Sequence, residues 1–538
     1  MLQDHLLLII TLLLVVSLLS MLGEKLRISY PVFLVISGLI IGFIPKTFAL
    51  ILEPNLVFTI FIPPLLFAAA WNTPWQDFLA FRRPIGFLGI GLVIFSSSAV
   101  AFISHLLIPG FPLAFGFLLG AIISPSDSFA ATSILQKLRM PRSIVNILEG
   151  ESLINDAVSL ILFRFALFAV LTREFIFWEA GIDFMIMICA GIMVGLAIAL
   201  LIYFIHRFLP TTPSIDTAIT LMAPYLMYIS AEHFKFSGEL AVVSGGLFLS
   251  ARSTEVFSFS SRLQSQGVWE TLVFLLNGAA YILIGLQLPV ILSNLETGTF
   301  AKTIYYGVFF SFAVILIRII WVFPVAYLPW LISKKIRKTE PRPDWKAVSI
   351  IAWSGMRGVV SLAAALSIPL ILISGETFPH RDLILFISFI VILCTLVLQG
   401  LTLPWLIQKL EITTKEQEWK QALEVKTVLD SAVLKHLNAY YAQEVESSKE
   451  FRILKERYEH QLKSQQSQLL KKHNLQPDIL AYQNVLFALI DVKRKALQEM
   501  SVENKYPEEL IRNIEKEIDH EEAHLNVHFD MPIKEKNA

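Results

Sequence analysis

Charge and cysteine are both scarce in this 538-residue chain, and each scarcity closes off a class of explanation. The two cysteines, Cys189 and Cys394, lie inside apolar runs; they form no recognisable metal motif and say nothing about redox compartment. Charged residues make up 16% of the chain and cancel to a formal net charge of zero, so nothing favours nucleic acid as a partner. No nucleotide-binding loop, His/Glu metal pattern or nucleophile set is readable, and His105 stands alone in its apolar segment. These absences argue against an enzyme and against a cofactor.

What the chain has instead is apolar length. Hydrophobic residues reach 55% and the mean hydropathy is +0.64, an average that already includes a charged tail. Apolar runs of about 18 residues with few charges read as membrane-spanning helices. Thirteen such segments are readable, at about 6–22, 31–44, 56–71, 84–108, 112–135, 146–171, 181–205, 214–233, 238–250, 267–292, 303–328, 347–373 and 383–408. Several are short, which suits broken or tilted helices. The first lacks a basic leader and a small-residue cleavage site, so it reads as a spanning helix rather than a signal peptide.

Loop charge sets the expected orientation. One set of loops carries sixteen Lys and Arg residues and the other five, an asymmetry that puts the N-terminus outside and the C-terminus in the cytoplasm. Thirteen spans with opposed ends allow two inverted six-helix repeats joined by the seventh span. The fifth span of each half is interrupted, at Ser124–Ser128 beside Pro125 and at Ser354-Gly355-Met356-Arg357-Gly358. The expected fold is therefore an all-α membrane protein with crossed broken helices over 1–410, followed by a soluble helical domain over 411–538. In that tail Trp419, Ala422, Leu423, Leu429, Val433 and Leu437 form an amphipathic stripe interrupted by Lys426, and helical runs are expected over 448–472, 477–500 and 506–526. Nothing in the tail resembles a catalytic site, and a structural or regulatory role is expected.

Three acids lie at membrane depth: Asp127 in SPSDSFAATS, and Glu151 and Asp156 in GESLINDAVSLILF. A carboxylate there costs about 2.5–3.5 kcal/mol even on insertion-based scales, which makes it a functional-site hypothesis by default. Ser152 and Asp156 are i and i+4 on one helix face, with Glu151 and Asn155 on the adjacent face. Na⁺ is a hard cation that takes oxygen ligands, and Asp156, Ser152, Asp127 and backbone carbonyls freed near Pro125 can supply them. Helix ends pointing into the breaks would add fixed partial charges. Three arginines balance the acids. Arg318 needs a partner, for which Glu151 is plausible. Arg357 stands at the second break, where it can compensate carbonyl ends of the broken helices. Arg164, two turns beyond Asp156, has no evident partner and is read as snorkelling outward.

At these residues the chain resembles the monovalent cation:proton antiporter-1 family, which includes NhaP-type antiporters and animal sodium/proton exchangers. The matching pieces are FIPPLLFAAAW (61–71), SPSDSFAATSIL (124–135), LEGESLINDAVSL (148–160), SGELAVVSGGL (237–247), Arg318 and SGMRGVVSLAAALSIP (354–369). The resemblance implies thirteen helices in inverted repeats, a homodimer in the plasma membrane (the bacterial inner membrane), and exchange of Na⁺ or Li⁺ for H⁺, with K⁺ in some members. It makes Asp156 the carboxylate that takes cation or proton, with Ser152, Asp127 and Ser126 helping to coordinate the ion. Asn155 occupies the place where electrogenic relatives carry a second Asp, which implies electroneutral one-for-one exchange. Glu151 and Arg318 take the place of a structural ion pair. The family usually has Thr before the Asp of the fifth span; Ser126 stands here and keeps the hydroxyl. The alternatives are a K⁺/H⁺ antiporter of the same fold or a cation channel. Paired acids beside broken inverted-repeat helices fit a carrier better than a pore with a symmetric filter.

Overall fold

A backbone that must satisfy its own polar groups away from water has little choice but helix, and the described structure is almost wholly helical. The computed structural model describes residues 2–470 apart from 27–28, 45–53, 139, 173–176, 294–299, 340–341, 373–375 and 411–414, together with pieces of 485–522. It divides into two units, Met1–Thr414 and Lys415–Ala538. Among the described residues, β pairing is limited to an isolated bridge between Ile371 and Thr377.

Among the described residues, seven helices in the first unit are long and apolar enough to cross a membrane: Arg82–Leu107, Leu113–Lys137, Arg142–Thr172, Met185–Phe208, Phe259–Pro289, Ala301–Ile332 and Arg381–Leu410. Four shorter apolar helices, Ile9–Gly23, Tyr30–Gly42, Thr59–Asn72 and Gly238–Ala251, accompany them. The two remaining apolar segments take other forms. Pro213–His233 is a continuous helix whose ends carry Asp216 and Glu232, and the segment after Asp344 is split into Trp345–Trp353 and Val359–Leu366. Leu113–Lys137 is also split, into Leu113–Ile123 and Ser128–Lys137, with extended chain between.

The helices sort into two bundles by whom they pack against. In the first, Arg82–Leu107 lies on Leu113–Ile123, which lies on Arg142–Thr172, while Phe300–Ile332 lies on Arg381–Leu410 and Trp345–Trp353. In the second, Tyr30–Gly42 lies on Phe259–Ser293, and Gly238–Ala251 lies between Phe177–Phe208 and Pro54–Asn72. One kink in the first bundle is a π turn, Phe87–Gly91. Such turns often mark functional sites; here Trp321 Nε1 donates to Phe87 O at 3.0 Å, and Gly89 packs on Ile154 and the Glu151 carbonyl.

Small residues set close helix contacts. A Cβ at Gly38 would stand 2.4 Å from Ile282 O, and one at Gly285 would stand 2.4 Å from both Leu39 N and Val35 O. Close backbone approach through Gly is the usual way membrane helices gain packing without a hydrophobic driving force. Helix Phe259–Ser293 is thereby locked against Tyr30–Gly42.

The second unit carries helices Lys415–Tyr440, Ala442–Ser447 and Lys449–Leu470. The first and third pack on each other, with Gln465 Nε2 donating to Asp430 Oδ2 at 2.7 Å. Leu423 and Leu437 are buried there, but Leu429 is 59% exposed, so the apolar stripe is narrower than its sequence suggests. The side chains of Trp419 and Ala422 and most of the runs expected over 477–500 and 506–526 lie outside the described residues.

Gly285→Ala is expected to lower the thermal stability of the detergent-solubilised protein by about 1–3 kcal/mol, because both obstructing atoms are backbone. Gly267→Ala on the same helix meets nothing within 4 Å. It is expected to gain about 1 kcal/mol from helix propensity. Equal melting shifts for the two variants would contradict the glycine interlock.

Candidate functional site

Pro125 removes a backbone donor, and the chain leaves the helix at Ile123 to re-enter it at Ser128. Asp127 becomes the N-cap of the second half: its Oδ1 accepts from Phe129 N at 2.9 Å. A carboxylate at this position satisfies an orphan donor and meets the positive end of the helix dipole. The second break, 354–358, lies directly against the first, and Asp127 N donates to Met356 O at 2.6 Å. The contact is so close that a Cβ on Gly358 would stand 1.9 Å from Asp127 Oδ2. A Cβ on Gly355 would likewise stand 2.3 Å from Arg318 Cδ. The glycines of SGMRG are there for approach.

Each break strands carbonyls at the end of a half-helix, and each end meets a guanidinium. Arg357 Nε donates to Ile123 O at 3.0 Å and its Nη1 to Gly355 O, while its backbone N donates to Thr395 Oγ1 at 3.2 Å. Arg318 Nη2 and Nε donate to Ile351 O at 3.0 and 3.3 Å. Both arginines are 1% exposed.

The helix Arg142–Thr172 presents its polar face to this junction. Glu151 Oε2 accepts from Arg318 Nη2 at 2.9 Å, and Oε1 accepts from Arg318 Nη1 and, at 2.9 Å, from Ser126 Oγ. Ser126 Oγ also accepts from Asn155 Nδ2 at 2.8 Å. Ser152 Oγ donates to Ser126 O at 3.0 Å and accepts from Ser128 N at 3.3 Å. Ser126 and Asn155 thus turn toward Glu151 and stitch the first break to the central helix. Asp156 stands one helical turn beyond Ser152 and lies within electrostatic reach of Asp127 and Glu151. Burial divides the acids. Glu151 is fully buried and Asn155 is 1% exposed, whereas Asp127 and Asp156 are only half-buried. The neutralised acid is sealed; the other two keep access to a ligand.

Every site residue expected from sequence is therefore gathered at this junction: Asp127, Asp156, Ser126, Ser152, Asn155, Glu151, Arg318 and Arg357. Two further features were not legible. Arg164 does not snorkel: its Nη2 donates to Glu232 Oε1 at 2.7 Å and to Glu239 Oε1 at 2.9 Å, and Ser237 Oγ holds the other Glu239 oxygen at 3.0 Å. Both acids were visible in the sequence, but their pairing depends on how two bundles meet. Tyr281 donates its phenol to Asp127 Oδ2 at 2.6 Å. Set in NGAAYILIG, it reads as one more core aromatic, and no sequence signal marks it.

Glu151→Gln or Arg318→Leu is expected to destabilise the protein by about 3–5 kcal/mol, since each leaves its former partner as an uncompensated buried charge. Thermal melting in detergent is the measurement. Two single variants that both melt like the parent would show that the pair does not hold this junction together.

The chain's likeness to known proteins runs through the same residues. The family described as "Sodium/hydrogen exchanger, transmembrane" matches residues 9–409. The sodium, potassium, lithium and rubidium/H⁺ antiporter of Bacillus pumilus is 33% identical over 401 residues, covering 72% of this chain and 60% of that protein. Its namesake in Bacillus subtilis is 34% identical over 70% of this chain and 57% of its own length. The chain thus spans less than two thirds of these two relatives. The Na⁺/H⁺ antiporter ApNhaP of Aphanothece halophytica is 30% identical over 83% of this chain and 82% of its own. Among solved structures, the sodium proton antiporter MjNhaP1 of Methanocaldococcus jannaschii shares the fold at a TM-score of 0.59, with 20% identity over 76% of this chain and 99% of that one. With both broken helices, the central acidic helix and Arg318 inside the matched region, the chain belongs to the sodium/hydrogen exchanger family of transmembrane cation:proton antiporters.

Proposed function

We propose that this protein exchanges Na⁺ or Li⁺ for H⁺, one for one, by exposing Asp156 alternately to the two sides of the plasma membrane. Charge balance at the junction of the breaks carries this reading. Three carboxylates (Glu151, Asp127 and Asp156) face two guanidiniums (Arg318 and Arg357). Glu151 is paired with Arg318, and Asp127 is held at a helix N-terminus. The remaining unit of negative charge falls to Asp156, which has no arginine of its own at the junction. One monovalent cation or one proton cancels it, so the two compete for the same place.

Coupling follows from electrostatics. An empty, ionised site is costly to carry through the hydrophobic barrier. Either ligand removes that cost, and a site that crosses loaded in both directions exchanges one ligand for the other. Asn155, in place of a second acid, leaves the count at one, which supports electroneutral exchange. The ligands would be oxygens of Asp156, Asp127 and Ser152, with Ser126 and Asn155 holding the frame in which they stand.

The wider architecture is proposed with it. Thirteen crossings in two inverted six-helix repeats fit two breaks in corresponding spans, each with a guanidinium on its carbonyl end. The protein would act as a homodimer in the bacterial inner membrane, with the N-terminus outside. The cytoplasmic segment 411–538 would be a regulatory domain. The names of the two Bacillus relatives include potassium and rubidium. They favour, as a second reading, a broader alkali-cation/H⁺ exchange that includes K⁺.

The test is purified protein in liposomes containing a pH dye. Addition of Na⁺ or Li⁺ should move protons against the cation, and K⁺ added separately decides the second reading. Asp156→Asn should fold normally and reduce cation-driven proton movement to that of empty vesicles; retained exchange would remove Asp156 from the centre of the mechanism. Clamping the membrane potential with K⁺ and valinomycin should leave the Na⁺/H⁺ equilibrium point unmoved, and a shift with voltage would exclude one-for-one exchange.

A further inference from the structure

Asp127 is held from two directions. On its own chain segment, Phe129 N donates to Oδ1 at 2.9 Å. From the other bundle, Tyr281 donates its phenol to Oδ2 at 2.6 Å. A carboxylate offers about four acceptor positions, so these two bonds, one on each oxygen, fix its orientation and leave positions open on both. Asp127 owes that orientation equally to its cap and to a side chain on a helix that is not part of either break.

Tyr281 is poorly placed to yield. It is fully buried. The next residue, Ile282, lends its carbonyl to the contact with Gly38, where no side chain fits. The helix bearing Tyr281 therefore cannot draw back without opening its tightest packing. Tyr30 begins the other helix of that interlock, with its ring edge-on to Phe129 at 5.9 Å between centroids. Its hydroxyl is buried and has no hydrogen-bond partner among the described residues, and it lies within electrostatic reach of Asp127 and Tyr281. Two phenols of one rigid helix pair thus converge on the carboxylate that lies beside Asp156.

We propose that Tyr281 is a positioning residue of the cation site: its hydroxyl, carried by the second bundle, holds Asp127 in the orientation that receives the cation. This rests on the reading of Asp127 and Asp156 as the exchange site. The phenol donates a proton and takes no positive charge, so it orders the carboxylate without neutralising it. A lysine or arginine at the same place would occupy the site permanently. Because the bond joins the two bundles, it forms only in conformations that bring Tyr281 and Asp127 together. Cation binding is thereby strengthened in this arrangement of the bundles over others.

Tyr281→Phe removes the hydroxyl and keeps the ring. Two quantities are measured on the full chain: the Na⁺ concentration giving half-maximal exchange in liposomes, and the Na⁺ concentration giving half-maximal thermal stabilisation in detergent. Both are expected to rise about tenfold, the loss of one hydrogen bond to a charged group. The maximal exchange rate should stay within about twofold, since the variant still loads and releases. The melting point without Na⁺ should match the parent. Unchanged half-saturation, with or without a lower melting point, would reduce Tyr281 to packing and overturn the proposal. A fall in half-saturation would overturn it too, by showing that the phenol competes with the cation for Asp127. A parent protein that moves no protons but is still stabilised by Na⁺ would refute the exchange reading, while the thermal measurement would still decide the role of Tyr281.

Discussion

Unwinding a helix inside a membrane exposes carbonyls that hydrocarbon cannot solvate, and this chain unwinds two helices at the same place. Arg318 and Arg357 resolve that constraint, each by donating to the carbonyl end of a half-helix. Guanidiniums bring charge with them, so carboxylates must follow. Glu151 meets Arg318 with both oxygens, Ser126 donates to it as well, and Asn155 donates in turn to Ser126. The polar network at the centre is thus a consequence of breaking the helices, and the exchangeable charge proposed for Asp156 is what remains after the network has balanced itself.

Arginine suits this task for a geometric reason. Its planar fork addresses a carboxylate and a carbonyl at once, and Arg318 does so with Glu151 on one side and Ile351 O on the other. A lysine, with a single point of charge, would have to choose. The same fork recurs at Arg164, which spans Glu232 and Glu239 between the central helix and the second bundle. There the surplus is again negative, two acids to one guanidinium, although Arg164 and Glu232 are partly exposed and their charges correspondingly screened.

How much of this could be read in the chain depended on whether the signal was local. Pro125 and the glycines at 355 and 358 mark the breaks because a backbone that departs from helix leaves its residues in the sequence. Glu151, Asp127 and Asp156 stand out because acids are costly among apolar neighbours. Tyr281 and the partners of Arg164 stayed hidden for the opposite reason. A tyrosine in a membrane helix is ordinary until its neighbour is known, and Glu232 and Glu239 reach Arg164 only through the meeting of two bundles. In the tail, six apolar positions at helical spacing overstated the buried face, since Lys426 and the exposed Leu429 show a seam narrower than the pattern. The tilt between segments, and the glycine contact that sets Tyr281, are properties of three-dimensional fit that no periodicity encodes.

The contact between Gly358 and Asp127 has a consequence for how such a protein can change over generations. Where a Cβ would stand 1.9 Å from a carboxylate oxygen, any of the other nineteen residues would push the Asp127 side chain out of its place. Variation in ion preference therefore has to enter from walls that already carry side chains, such as Ser126, Ser152 and Tyr281. At that contact the second break presents bare main chain to Asp127. Under the proposed function, selectivity changes through the hydroxyls around Asp127, while the point where the two broken helices touch admits no side chain.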